Sequence, residues 1–350
     1  LRVRRIIVIA FFYHYLLFNA IEDNFQRLFS VLFLDWIAPN RARHRITYYR
    51  PPNPGLGILG SSFRSSHEFA GKPYNHHMEE QPLKDKVVVV TGSSRGIGRA
   101  IAEACAAGGA RVVISSRSEE AVRRAVSAMQ AKGYSASGIP CDVAKPAQVE
   151  RLLQYALETW QRIDIWVNNA GLSGGMRPLE EVPSEEISMI IDTNIKGVLE
   201  GCRQVMPIFL RQGKGILINI SGLGGKLEPA EFSAVYAASK AAVTSLTKST
   251  AREHKMPGIS VFAVIPGMVN TDFFREMKVS PRCAERNGGM PYVLDALALP
   301  APFVGRSVAE LAVLPPAQTN GRIFSLLRGM RLTKGILKLI RYRRQGKIKG

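Results

Sequence analysis

The sequence predicts an α/β protein built on a doubly wound parallel sheet, and three observations carry that prediction. Residues 87–90 read VVVV, the continuous β-branched run of a parallel strand buried on both faces. Three glycines and an alanine-rich helical stretch follow at once, and strand-like and helix-like segments keep alternating after them. At 350 residues and 46% hydrophobic, the chain is long enough for one large core.

Taken in order, the first unit is KVVVVTGSSRGIGRAIAEACAAGGARVVISSRS: strand, turn, helix from 99 to 107, then a second strand at 112–115. Gly92, Gly96 and Gly98 flank Ser94, Arg95 and Ile97 in a turn whose glycines let the backbone approach a pyrophosphate. The helix N-terminus behind it offers unpaired N–H groups and partial positive charge. Where NAD-binding turns place an acid for the ribose 2′-OH, this chain has Ser116 and Arg117. A guanidinium suits a 2′-phosphate, and Arg95 borders the same ribose, so NADP(H) is expected over NAD(H). Further on, 118–132 and 147–159 read as helices and 163–167, 216–220 and 259–264 as strands. The segment 237–254 reads as a helix and NGRIFSLL as the last strand.

Six short signatures stand in this order: TGSSRGIG (91–98), CDV (141–143), NNAG (168–171), TNIKG (193–197), YAASK (236–240) and PGMVNT (266–271). Together they resemble the short-chain dehydrogenase/reductase family over about residues 82–272, with weaker support to about 326. The resemblance implies a single Rossmann-type domain whose ligand crevice lies beyond the carboxyl ends of the strands. It also implies that Asp142 and Val143 border the adenine, and that Asn168, Asn169, Ala170 and Gly171 line the cofactor. Thr271 would hold the nicotinamide carboxamide on a loop shaped by Pro266, Gly267 and Val269.

Tyr236 and Lys240 are four apart on one helix, so their side chains share a face. A phenol ionises near ~10, and a neighbouring ammonium together with an oxidised nicotinamide would lower that value and let Tyr236 exchange a proton with a substrate oxygen. By the resemblance, Lys240 also holds the nicotinamide ribose and Asn194 seats a water that relays protons. The family's polarising serine is out of register: counting back from the tyrosine gives Leu223, and counting from the strand end gives Gly222. Ser221 is the nearest hydroxyl. Either the glycine-rich loop swings Ser221 into place, or a backbone N–H of that loop does the polarising.

Composition narrows the remainder. The formal charge of +19 is concentrated at the ends: ten Lys/Arg against four Asp/Glu in 1–77, and ten against none in 322–350, leaving +3 for 78–321. Nucleic-acid binding therefore has only charge behind it. Four scattered cysteines and five histidines before residue 78 exclude a recognisable metal or disulfide framework and fit a reducing, cytoplasmic setting. Residues 1–77 read as an extension and linker, with three readings open: a segment upstream of a start at Met78, a membrane-contacting extension, or an extra subdomain. The domain proper is 78–328. The segment from Asp272 to Phe303, with Phe273, Phe274, Met277, Met290, Tyr292, Leu294, Leu297 and Leu299, suggests a greasy lid and hence a hydrophobic carbonyl or alcohol substrate. The tail, 329–350, reads as a basic amphipathic helix with Leu332, Ile336, Leu339 and Ile340 on one face, suited to peripheral contact with an anionic membrane or simply solvated. The resemblance also implies a homo-oligomer, dimer or tetramer.

Overall fold

A computed structural model describes residues 81–348, which lie in a compact unit spanning Met78–Lys349. The expectations for the N-terminal extension fall outside the described residues.

The valine run forms β1 (Val87–Val90), followed by α1 (Gly96–Ala107), β2 (Arg111–Ser116), α2 (Glu119–Gln130), β3 (Ala136–Pro140), α3 (Pro146–Trp160) and β4 (Ile165–Asn168). After β4 come α4 (Ser184–Ile191), a π-helical turn (Asp192–Lys196), α5 (Gly197–Gln212), β5 (Gly215–Ile220), α6 (Ala234–Glu253) and β6 (Ile259–Ile265). The chain closes with α7 (Met290–Leu297), α8 (Ala301–Ala312), β7 (Ile323–Ser325) and α9 (Gly329–Arg344). The seven strands lie parallel in the order β3-β2-β1-β4-β5-β6-β7, the doubly wound arrangement expected. Val88 pairs with Val112 on one side and Ile165 on the other, so β1 is central and its backbone is fully used.

Strand alternation divides the apolar side chains between two cores. Val88 and Val90 pack with Ile101, Met129, Phe262, Val304 and Val308 beneath α1, α2 and α8. Val89 points the other way, into Trp166, Leu152, Phe209, Leu217 and Val243 beneath α3, α5 and α6. With both faces of β1 covered, its carboxyl end is the open edge, and the glycine turn emerges there. Among the described residues, no helix is long and apolar enough to cross a membrane.

The tail is a helix, as expected, but its setting differs. It forms α9, a helix docked on α7 rather than a free segment. Gly335 is buried, and a Cβ there would lie 2.5 Å from Leu297 Cδ2 and 2.7 Å from the Ala296 carbonyl. Lys338 pairs with Asp295 at 2.8 Å, and the Tyr342 hydroxyl donates to the same carboxylate. The Tyr342 and Tyr292 rings lie 5.1 Å apart. Leu332, Ile336, Leu339 and Ile340 are consequently half-buried, and the face expected to meet lipid is turned away from open solvent. The lid residues divide in the same way: Leu299 belongs to the core, Leu297 and Tyr292 pack on α9, and Phe273 reaches the site.

Candidate active site

The glycine turn is built for close backbone approach. Gly92 has φ +62°, and a Cβ on it would lie 2.8 Å from Ala170 Cα. A Cβ on Gly98 would lie 2.4 Å from Asn169 Nδ2 and 2.5 Å from the Gly92 carbonyl. Only glycine fits either position. Thr91, at the mouth of β1, was not singled out from sequence, yet its hydroxyl accepts from the amides of Asn169 and Ala170 at 3.0 and 3.1 Å. Asn169 returns the contact, its Nδ2 donating to the carbonyls of Thr91 at 2.9 Å and Gly92 at 3.1 Å. The ends of β1 and β4 are thus braced together, leaving a side-chain-free cradle ahead of the α1 N-terminus. That cradle fits a pyrophosphate.

Around it, Ser116 ends β2 and Arg117 follows, exposed and with no ion pair among the described residues. Arg95 is already engaged, its guanidinium bonding both carboxylate oxygens of Glu276 at 2.6 and 2.9 Å and Asp272 at 3.4 Å. Ser94 is half-buried beside it, while Ile97 packs against the core. Asp142, past β3, accepts from the Ala144 amide at 3.1 Å, and Val143 is buried under Gly197. On the far side Pro266 and Val269 are buried, Gly267 has φ +79°, and Thr271 sits opposite Gly96, whose Cβ would lie 3.8 Å from Thr271 Cγ2.

Asn168 is a correction. Its side chain does not line the crevice: it is 3% exposed, accepts from Trp166 Nε1 at 2.8 Å and donates to Asn219 Oδ1 at 2.9 Å. Asn219 in turn donates to Thr247 at 2.9 Å. The alternation of β4 turns Asn168 inward and Asn169 toward the turn.

Tyr236, Lys240 and Asn194 converge. Tyr236 is half-buried in the first turn of α6, with its ring edge-on to Phe273 at 5.7 Å. Lys240, one turn on, is 4% exposed, with Nζ donating to the Ile220 carbonyl at 3.0 Å and lying 5.6 Å from the Tyr236 ring centre. Burial lowers the ammonium to about 8 and pushes the phenol above its usual value. The ammonium alone does not lower the phenol, because desolvation outweighs a charge already directed at a carbonyl. Asn194 is fully buried in the π-helical turn, an irregularity that re-aims its side chain. Its amide bonds the Leu172 N–H at 2.8 Å, the Leu172 carbonyl at 2.9 Å and Ser239 at 3.0 Å, and Ser239 donates to the Tyr236 carbonyl at 2.6 Å. A Cβ on Gly171 would stand 3.3 Å from Asn194 Oδ1 and 3.5 Å from Lys240 Nζ, so Gly171 admits both groups to one point.

Ser221 is held elsewhere. It is 2% exposed, with its hydroxyl 3.0 Å from the Lys240 carbonyl and 3.2 Å from the Thr244 hydroxyl. Its amide is still in the ladder with Val264, so the strand fixes its direction before the glycine loop begins. It braces α6 against β5. Gly222 is the residue beneath the Tyr236 hydroxyl. From there the loop to α6 carries Leu227 and Phe232 at φ +67° and +63°, and exposes Leu223 and Leu227. Such strain in non-glycine residues marks a loop held in place by its surroundings. The Phe232 carbonyl accepts from the Arg177 amide at 2.9 Å, which joins this loop to the segment after β4.

A family profile described as short chain dehydrogenase matches residues 86–281. The chain is 41% identical over 216 residues to 3beta-hydroxysteroid dehydrogenase 1 of Eggerthella lenta, covering 60% of this chain and 82% of that protein. Among solved structures it is similar to an actinorhodin polyketide ketoreductase with NADPH, at TM-score 0.62 and 30% identity, covering 70% of this chain and 97% of that one. It is equally similar in shape to a 3-ketoacyl-(acyl-carrier-protein) reductase from Brucella melitensis complexed with NADH, at TM-score 0.62 and 27% identity, with the same coverage.

Proposed function

Because the chain belongs to the short-chain dehydrogenase/reductase family, we propose that it is an NADP(H)-dependent oxidoreductase interconverting a hydrophobic carbonyl and its alcohol, working in the reductive direction. The observation that carries this reading is the meeting of Lys240 Nζ and Asn194 Oδ1 beside the side-chain-free Gly171, with the Tyr236 ring centre 5.6 Å from that same Nζ.

A bound nicotinamide supplies or accepts the hydride. The chain's own residues handle the proton. Tyr236, kept protonated by burial, gives its proton to the substrate oxygen as that oxygen becomes an alkoxide, a far stronger base than a phenolate. Lys240 holds a positive charge beside the ring and toward the nicotinamide ribose, and Asn194 seats the water that returns a proton. Asn169, Ala170 and Gly171 with the glycine turn hold the pyrophosphate, and Pro266, Gly267, Val269 and Thr271 hold the carboxamide end. Asp142 and Val143 border the adenine. Arg117, exposed and unpaired among the described residues, supports NADP(H) at the 2′-phosphate. Phe273 against Tyr236, with Leu223 and Leu227 exposed on the adjacent loop, supports an apolar substrate, as does the similarity to a hydroxysteroid dehydrogenase. The same proposal includes a homodimer or homotetramer.

NADPH oxidation with a panel of hydrophobic ketones tests it: Tyr236→Phe should lose all turnover while still binding NADPH. Equal rates in the two proteins would end the enzyme reading. A second reading, a weakly catalytic dinucleotide-binding protein, rests on Gly222 standing where the family places its serine and on the sequestered Ser221 hydroxyl. It predicts NADPH binding with at most slow turnover on any carbonyl.

A further inference from the structure

With the inner face of α9 docked on α7, the helix presents a different stripe to solvent. Met330, Lys334, Leu337, Arg341 and Arg344 are all exposed, the two apolar ones at 72% and 55%. Their spacing of four, three, four and three confines them to about 80° of the helix circumference. The opposite side holds Gly335 and Tyr342, so the stripe points away from the domain. No acidic residue occurs from 322 to 350, and the acid of the facing helix α7, Asp295, is taken by Lys338 and Tyr342.

We propose that this stripe of α9 is a docking surface for an anionic lipid bilayer, with Lys334, Arg341 and Arg344 meeting the headgroups and Met330 and Leu337 entering the acyl boundary. Charge alone would suit any polyanion. The apolar pair decides between them: bare methionine and leucine side chains within a basic stripe gain from burial among acyl chains and gain nothing from a phosphodiester backbone. The position also matters, because α9 is clamped to α7 and docking would set this side of the domain against the membrane.

The test uses the full chain pelleted with phosphatidylcholine vesicles, with and without phosphatidylserine, and retention on duplex DNA in parallel. Binding should require phosphatidylserine and weaken with salt. Charge reversal in Lys334→Glu/Arg341→Glu/Arg344→Glu should lower vesicle partition by roughly a hundredfold, at about fivefold for each basic residue. Met330→Ser/Leu337→Ser should lower vesicle partition about tenfold and leave DNA retention unchanged. All five side chains are exposed, so both variants retain NADPH binding, which reports the fold. Equal binding to vesicles lacking phosphatidylserine, no response to charge reversal, or no response of vesicle partition to the serine pair would each overturn the proposal. The last of these, with DNA retention lost on charge reversal, would assign the stripe to nucleic acid.

Discussion

The Tyr236 hydroxyl lies so close over Gly222 that a Cβ on the glycine would stand 2.4 Å from it. The tyrosine oxygen is the far end of a side chain, which can swing by the more than half an ångström that a Cβ at this position would demand. Gly222→Ser should therefore fold, and its hydroxyl would stand beside Tyr236 as the donor that Ser221 does not provide. Removing one such donor from other enzymes costs about 10²-fold in turnover. Gly222→Ser should accordingly raise kcat for ketone reduction by tenfold or more. Gly222→Ala, with the same crowding and no donor, should lower it. Similar rates for the serine and alanine variants in steady-state assays would show that a backbone amide already fills this role.

Lys240 should set the pH response. Its folded value near 8 lies below the ordinary lysine value of 10.5 because burial penalises the charge. The free enzyme thus loses the ammonium as pH rises through about 8, and kcat/KM for reduction should fall over that range. Lys240→Arg, whose guanidinium stays charged, should remove that limb of the profile. Stability runs the other way. Between pH 8 and 10.5 the unfolded chain keeps a proton that the folded chain has lost, so stability rises with pH, by up to about 3 kcal/mol for this group. Tyr236, raised on folding, opposes this only above pH 10. Denaturant titrations from pH 8 to 10 should show the rise in the native protein and its absence in Lys240→Met.

Glu276 would compete with a 2′-phosphate for Arg95. The bidentate pair at 2.6 and 2.9 Å joins the glycine turn to the segment after Thr271, across the crevice, and Arg95 cannot hold both the carboxylate and a 2′-phosphate with the same fork. Both partners are largely exposed, so solvent screening keeps the pair weak. Glu276→Gln should then tighten NADPH by no more than about fivefold and leave NADH unchanged. Arg117→Asp should move preference toward NADH. Fluorescence titration of both nucleotides decides each case, and an unchanged ratio in Arg117→Asp would displace the phosphate site from β2.

The parts of the fold that were readable from sequence are those where one residue type serves one purpose. The valine run could only be a doubly buried strand, and the glycines at 92 and 98 stand where any side chain would strike Ala170 or Asn169. β3 was not anticipated because ASGIP lacks a β-branched pattern and is held in the sheet by its pairing with Val112–Ser116. α5, with Gly201 and Pro207 inside it, looks like a poor helix until Gly201 is seen to admit the Asn168 side chain, whose Oδ1 would lie 2.2 Å from a Cβ there. The direction of Ser221 depends on where the ladder of β5 ends, and the partner of Arg95 depends on a segment 181 residues away. Neither distance is written in local spacing, although the acids of TDFFRE just past Thr271 were a visible cue to the second.

Asn168 and Asn169, adjacent in sequence, separate scaffold from site. Truncating Asn168 leaves Trp166 Nε1 without a partner inside the core and Asn219 Oδ1 with only the weak Cys202 thiol donor at 3.8 Å. An unpaired buried polar group costs about 1–3 kcal/mol, so Asn168→Ala should lose on the order of 3 kcal/mol of stability in denaturant titrations. Its NADPH affinity, measured on the folded fraction, should stay near that of the native protein because the turn is untouched. Asn169→Ala should do the reverse. It frees the carbonyls of buried Thr91 and half-buried Gly92, so the stability loss should be about 1–2 kcal/mol, smaller than for Asn168→Ala. The turn it releases must then be ordered when the nucleotide binds, which should weaken NADPH several-fold. If Asn168→Ala weakened the cofactor as much as Asn169→Ala, the inward direction assigned to Asn168 by the alternation of β4 would be wrong.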